Sequence, residues 1–484
     1  MRGTTMVQEV AIVGAGLAGV CMAIRLKQSG IDSFTIFEKS DDVGGVWRDN
    51  TYPGAACDLV SHLYSYSFAP YAWTHNYARQ PSIHRYITDC ADRFDVRARI
   101  EFKTEITSAR FDRRLGLWRL RTGEGDVHLA RTLITAVGQL NRPRIPELSG
   151  QEEFLGTSFH SARWDHAHDL TGKSVAVIGN GCSAVQFIPE IASRAGRLTV
   201  FQRSPKWIIP KWDREISPVM RQVFDRFPIA QKINRVNWFL MAETIAYSPI
   251  HRGLFGHALT AVARHHLRRQ VSDQELRAKL TPDYTFGCNR MILSNDYYPA
   301  LCRDNVSLVT DGIERITRSG VLTGSGTHHE ADTIIYATGF HTTRFLSPMH
   351  ITGLNGDLHA RWIEGASAHL GITVPGFPNL FLLYGPNTST THNSVVYMLE
   401  SQVNYVLRCL GLLGGAGTIE VAESALAQYD QELESRLGRT VWSEGCSSWY
   451  KTDSGRVTAL WPLRASSYRR ATRRPDPAHF VISP

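Results

Sequence analysis

Apolar positions in this chain gather into short runs, and twice such a run ends at a glycine-rich turn and gives way to a helical period. Val10-Ala11-Ile12-Val13 is the first run, and Gly14-Ala15-Gly16-Leu17-Ala18-Gly19 follows it. Val20, Ala23, Ile24 and Leu26 then recur at helical spacing towards Gly30. Phe34-Thr35-Ile36-Phe37 alternates as a strand and ends on Glu38. The same order returns later: a strand over 173–178, then Gly179-Asn180-Gly181-Cys182-Ser183-Ala184, a helix over 185–193 and a strand over 198–201. Strands alternating with helices predict parallel sheets covered by helices. The expected class is α/β, with two Rossmann-like dinucleotide-binding domains.

Two further strand-like runs frame the second copy. One is TLITAVG at 132–138; the other is DTIIYATGF at 332–340, expected to lead the chain back to the first domain. The second domain should therefore be inserted into a discontinuous first one. The expected bounds are 1–142 and 340–484 for the first domain, and 150–207 and 285–338 for the second. Between them, over 208–284, Val219, Val223, Phe224 and Phe227 keep a helical period, so a helical insert is expected. Its aromatics Trp238, Phe239 and Phe255 read as core.

The glycine turns carry the first chemistry. Gly14, Gly16 and Gly19 permit a tight turn and let a pyrophosphate approach a helix N-terminus, while Glu38 can accept from ribose hydroxyls. The same step of 24 residues that separates Gly14 from Glu38 leads from Gly179 to Arg203. An acid is thus replaced by Gln202-Arg203-Ser204. An arginine fork and a hydroxyl suit a 2′-phosphate, which an acid would repel. The first site reads as FAD or NAD and the second as NADP. A chain with both sites passes hydride between two cofactors, which makes FAD the economical choice for the first.

Composition narrows the class. The chain has 484 residues, room for two or three domains, and a net charge of +8. Basic runs sit at 263–270 and 468–475, but a nucleic-acid face is more basic and interleaves aromatics with its charges. A solvated surface or an anionic cofactor fits better, and no nucleic-acid partner is expected. None of the 8 cysteines forms a CxxC pair, which argues against structural zinc and a dithiol redox centre. No metal and no disulfide framework are expected. The first ten residues, MRGTTMVQEV, lack the apolar core of a leader, and no apolar run reaches about 18 residues. A reduced, soluble, cytoplasmic protein without an integral membrane segment is the expectation.

One stretch is more specific. Phe154, Gly156, His160, Trp164 and Asp165 fit FxGxxxHxxxW[PD] just ahead of the second glycine turn. In this the chain resembles the type I Baeyer–Villiger monooxygenases. Related flavin monooxygenases acting on amines and sulfides carry a shortened form without the tryptophan, so Trp164 favours the ketone-oxidising branch. Gly44-Gly45-Val46-Trp47, Tyr52-Pro53-Gly54 through Asp58, Phe201-Gln202-Arg203, Gly287-Cys288-Asn289-Arg290, Phe377-Pro378-Asn379-Leu380 and Ser448-Trp449-Tyr450 are similar to that family too.

The resemblance implies FAD, NADPH and O₂ acting on a small-molecule ketone substrate through a peroxyflavin, with an ester or lactone as product. The alternative is an N- or S-oxygenating enzyme with the same cofactors. Arg290 matches the family's active-site arginine, and Asp58 the acid that holds it. Trp47, Tyr64 and the backbone at Ile106 match positions lining FAD. Gly179, Gly181, Ser183, Gln186, Arg203, Ser204 and Trp449 match positions around NADP. His160 is expected to couple the two domains instead of acting as an acid or base. One position departs: relatives commonly carry a lysine just before the arginine, and here Asn289 stands there, which weakens strict NADPH selectivity.

Overall fold

The computed structural model describes residues 7–414, 417–446 and 448–484. The first six residues, part of the N-terminal stretch considered above, lie outside the described residues. The first apolar run becomes the strand Val7–Val13, whose side chains enter two cores alternately. Val10 and Ile12 pack with the helix Leu17–Gln28, whereas Ala11 and Val13 pack with Phe37, Ile106 and Trp118. A strand covered on both faces has no polar side to show, which is why this run is continuous. It pairs in parallel with Phe34–Phe37 and with Val127–Thr135. Ile100–Glu101 extends the sheet on one side; Leu117–Thr122, Ile106–Asp112 and His350–Thr352 extend it on the other. Leu380–Leu382 pairs with the end of Val127–Thr135.

The second sheet has five parallel strands in the order Val306–Val309, Arg197–Phe201, Ser174–Ile178, Thr333–Tyr336, Thr157–His160. Its strands divide their side chains in the same way: Val175 and Val177 face the helix Cys182–Ile191, and Ala176 and Ile178 face the opposite core. The segment 332–340 divides between the two sheets' domains. Thr333–Tyr336 is a central strand of the second sheet, and only after Gly339 does the chain cross back. There Arg144 N–H donates to the Gly339 carbonyl at 2.9 Å and His341 N–H to the Arg142 carbonyl at 3.0 Å. The outgoing and returning chains thus run side by side as a double linker.

The helices of the insert include Pro218–Arg226, Pro228–Met241, Leu254–Gln270 and Gln274–Lys279. Trp238 and Phe239 pack on Val60, Leu63 and Tyr77, as core residues should. Phe255 does not: it is 49 % exposed, because its helix turns that face outward. Glu243 moors the insert to the C-terminal part of the chain. It is 4 % exposed and accepts from Asn393 Nδ2 at 2.8 Å, Ala465 N–H at 3.0 Å, Ser466 N–H at 3.1 Å and the Ser466 hydroxyl. Burial works against its charge, but these donors together with His392 pull its pKa down to about 2.

The expectation of a reduced protein fails at one pair. Cys288 and Cys446 are joined, with Cα atoms 6.3 Å apart, across 158 residues of sequence. No spacing rule could have disclosed a pairing over that distance. Among the described residues no helix is long and apolar enough to cross a membrane, and no cluster of His, Cys, Asp and Glu is arranged to hold a metal.

Candidate active site

Gly14 adopts φ +102°, and a Cβ on it would stand 2.7 Å from the Ala136 carbonyl oxygen. A Cβ on Gly19 would overlap the Gly14 carbonyl. Both positions therefore require glycine for the helix to enter so close to the sheet. Gly16 leads into Leu17–Gln28 with no side chain capping the N-terminus, which leaves the first-turn N–H groups open to a pyrophosphate. Glu38 stands at this turn, 5 % exposed; its Oε2 accepts from Ala15 N–H at 2.7 Å and its Oε1 from Ser40 N–H at 3.0 Å.

Gly44 N–H donates to the Ala15 carbonyl at 3.0 Å, folding the Gly44 to Trp47 segment over the turn. Trp47 Nε1 then donates to the Tyr64 hydroxyl at 2.9 Å. Thr104 N–H donates to the Glu38 carbonyl at 2.9 Å, which brings the chain entering Ile106–Asp112 to the same edge. Trp47 and Tyr64 thus gather over the first turn, and the backbone leading to Ile106 runs beside Glu38. Open backbone donors, a carboxylate and two aromatics fit an adenine dinucleotide bearing an aromatic ring system.

The second turn repeats this geometry. Gly179 has φ +108°, with the Ala337 carbonyl oxygen 2.5 Å from where a Cβ would lie, and Gly181 leads into Cys182–Ile191 uncapped. No heavy atom lies within 4 Å of a Cβ built on Gly181. Asn180 Nδ2 donates to Gln202 Oε1 and to the Ser204 carbonyl, each at 2.8 Å, and so fixes the Arg203 loop against the turn. Arg203 is exposed, with no hydrogen bond or ion pair among the described residues. Lys206 lies close to it, and burial, with Arg203 adding, lowers its pKa. Sequence reasoning missed Lys206. Asn289 is 8 % exposed and faces the Tyr284 hydroxyl.

Between the two turns lies an ion pair. Arg290 Nε is 3.8 Å from Asp58 Oδ2, and the other Asp58 oxygen accepts from Gln186 Nε2 at 3.2 Å. Burial opposes the guanidinium's charge, yet Asp58 beside it holds its pKa above the ordinary value. Gln186 Oε1 accepts from the Tyr52 hydroxyl at 3.0 Å, and Nε2 also donates to the Ala56 carbonyl at 3.0 Å. Gly54 must be glycine here: at φ +76° its Cβ would stand 2.5 Å from the Gln186 carbonyl oxygen. Gln186, expected beside NADP, thus spends its amide on the segment that carries Asp58.

Tyr64, Tyr384 and Tyr450 all lie within electrostatic reach of Arg290, and burial raises the pKa of each. Cys182, at the second turn, is pushed up to about 12 by burial and by Asp58. Tyr384 was not foreseen; it and Asn387 take positive φ, at 61° and 56°.

The fingerprint residues sit apart from this pair. His160 is 3 % exposed; its Nε2 bonds the Gly339 carbonyl at 3.0 Å, and its Nδ1 accepts from Ala162 N–H at 3.1 Å. Burial lowers its pKa, so it is neutral with both nitrogens engaged. Gly156 abuts Phe154 and the Asp332 carbonyl. Trp164 packs edge-on against Phe159 and tilted against Phe187, and Asp165 accepts from Ala167 N–H at 3.0 Å. Trp449, which follows Cys446 closely, packs on Tyr450 at 4.4 Å and is tied through its carbonyl to Thr342. Ser183 lies beside the Tyr52 hydroxyl.

Residues 11–238 match the family described as pyridine nucleotide-disulphide oxidoreductase. The chain is 43 % identical to a Baeyer–Villiger monooxygenase of Pseudomonas aeruginosa, across 98 % of this chain and 91 % of that one. It is 39 % identical to a Baeyer–Villiger monooxygenase of Streptomyces coelicolor, across 98 % and 92 %. Among solved structures, it is similar to an oxidized steroid monooxygenase bound to NADP, with a TM-score of 0.88, 32 % identity and 99 % of each chain covered. An OTEMO complex with FAD and NADP superposes with a TM-score of 0.89 at 28 % identity, covering 99 % of this chain and 100 % of that one.

Proposed function

The chain belongs to the Baeyer–Villiger monooxygenase family, and on that premise we propose that Arg290, oriented by Asp58, is the charge on which its oxygen insertion depends. The enzyme uses FAD, NADPH and O₂ to insert an oxygen atom next to a ketone carbonyl, giving an ester or lactone. Bound FAD, once reduced, supplies the activation of O₂. The remaining work falls to the protein. The open helix N-termini at Leu17 and Cys182 take the two pyrophosphates, and Glu38 takes the FAD ribose. Trp47, Tyr64 and Ile106 line the flavin side; Ser183 and Trp449 line the nicotinamide cofactor.

The observation that carries the proposal is the Asp58–Arg290 pair lying between both turns, with Gln186 on the free carboxylate oxygen. A positive charge fixed there stabilises negative charge developing on the carbonyl oxygen of the substrate. Asp58 keeps the guanidinium oriented, and Gln186 ties that orientation to the second glycine turn. Arg203 and Ser204 receive the 2′-phosphate, and Lys206 supplies a second cation where Asn289 does not. His160 acts through the double linker at Gly339, as a coupling residue. The site of action is the cytoplasm, where NADPH is regenerated.

The test is product analysis. Purified holoenzyme with NADPH and cyclic, aryl and long-chain ketones, plus one sulfide, should give an ester or lactone from at least one ketone by gas chromatography and mass spectrometry. Sulfoxide as the sole product across the panel would overturn ketone oxidation in favour of heteroatom oxygenation.

A further inference from the structure

The insert carries apolar residues that nothing covers. Among the described residues, 12 of the 21 exposed large apolar side chains fall between Trp212 and Val262. On the helix Pro228–Met241 they form one stripe: Ile229 is 62 % exposed, Ile233 55 %, Val236 47 % and Leu240 54 %. The spacing of four, three and four residues keeps them on one face over about 16 Å. Phe227 and Val219 continue the exposure onto the preceding helix, at 56 % and 69 %. The opposite face is already committed. Arg235 donates to the Ser65 carbonyl at 2.9 Å and Gln231 to the Tyr71 carbonyl at 2.9 Å, while Trp238 and Phe239 pack inward. The stripe therefore cannot roll inward without breaking those contacts.

Charge selects the occupant. Residues 211–270 hold ten basic and four acidic side chains, so they carry six of the chain's net +8. Apart from the inward-turned Arg235, the two helices Pro218–Arg226 and Pro228–Met241 contain a single acid, Asp225, against Arg221, Arg226 and Lys232. A twofold contact between two copies would set this positive surface against itself. Apolar stripes flanked by basic residues instead match a bilayer whose headgroups are anionic, where the stripe enters the headgroup boundary and the cations meet phosphate. We propose that this face of the insert docks the enzyme peripherally on an anionic lipid surface, with Pro228–Met241 lying in the membrane plane.

Co-sedimentation of the holoenzyme with lipid vesicles tests this independently of the reaction catalysed. Most of the protein should pellet with phosphatidylcholine vesicles containing about 30 % phosphatidylglycerol at low salt, and little with phosphatidylcholine alone. About 0.5 M salt should release much of it, since the Debye length then falls below about 5 Å. Ile233→Asp should lower the partition coefficient at least about tenfold, and Lys232→Gln about fivefold. Neither residue belongs to the active site, so FAD content and NADPH oxidation in free solution should be unchanged. Lys232→Gln keeps the test decisive should Ile233→Asp fold poorly. Wild-type protein that ignores anionic vesicles, or binds neutral ones equally well, overturns the proposal. So does an enzyme that light scattering shows as a dimer in solution and as a monomer after Ile233→Asp, since a second copy would then own the stripe.

Discussion

Replacing Arg290 with alanine should uncouple the enzyme without unfolding it. The guanidinium lies 3.8 Å from Asp58, and two unit charges at that distance attract by about 4 kcal/mol at an effective dielectric near 20. The Arg290 side chain is 32 % exposed, so solvent screening reduces that to about half. Asp58 keeps its hydrogen bond from Gln186 in the variant, at 3.2 Å, so the unpaired carboxylate should cost only about 1–2 kcal/mol. In a chain of this size that is a melting shift of a few degrees at most. The chemical loss should be larger. Removing one preorganised donor from a developing oxyanion costs about 2.7–4 kcal/mol, or a hundred- to a thousandfold. Ester formation measured by chromatography should therefore fall at least about a hundredfold, while NADPH is still consumed and the oxygen appears as hydrogen peroxide in a peroxidase-coupled assay. Arg290→Lys should recover little, because a flexible point charge does not reproduce the planar fork. Near-full ester yield per NADPH from Arg290→Ala would refute the assignment of this residue.

Three further outcomes follow from the same geometry. Arg203→Ala should raise KM for NADPH by about ten- to a hundredfold and leave NADH almost unchanged, since only NADPH carries the 2′-phosphate; steady-state kinetics with both coenzymes decides it. Glu38→Ala should weaken FAD by about 1–3 kcal/mol, read from flavin release on dilution. Glu243 is ionised in the fold down to about pH 2 and titrates near 4.5 when unfolded, so its stabilisation is complete at neutral pH and is lost as pH falls through that window. Glu243→Gln should be less stable than wild type at pH 7 by up to about 3 kcal/mol in urea unfolding, and the deficit should narrow by about 1 kcal/mol at pH 4.

What could be read from the sequence was whatever is set locally. Glycine turns and strand-helix periods are local, so Gly14, Gly179, Glu38 and the alternation of strands could be found from spacing alone. The helix Leu17–Gln28 and the strand Phe34–Phe37 lie where their apolar periods put them. Pairing partners are not local. The strand Thr333–Tyr336 has the same apolar character whichever sheet it joins, and its membership is set by backbone register with Ser174–Ile178. Cys288 and Cys446 meet because the Arg290 loop and the Trp449 loop converge, which no spacing announces. Phe255 was misplaced for a related reason. An apolar helical period signals a buried face only when something exists to bury it, and on this insert the outward face has no protein over it.

The site itself follows a similar division. Asp58, Gln186 and Arg290 come from three distant stretches, and each one looks unremarkable in its own segment. Their meaning lies in the order of contacts: Arg290 on Asp58, Asp58 on Gln186, and Gln186 midway along the helix that leaves the second glycine turn. A chain of this kind makes the orientation of the guanidinium depend on how the two sheets sit relative to each other. That relation is in turn held where 142–144 and 339–341 run together, and His160 grips Gly339 at that crossing with one nitrogen and its own loop with the other. The fingerprint residues need not touch a substrate to matter. A small rotation at the double linker would move Gln186 against Asp58, and the charge that steers oxygen insertion would turn with it.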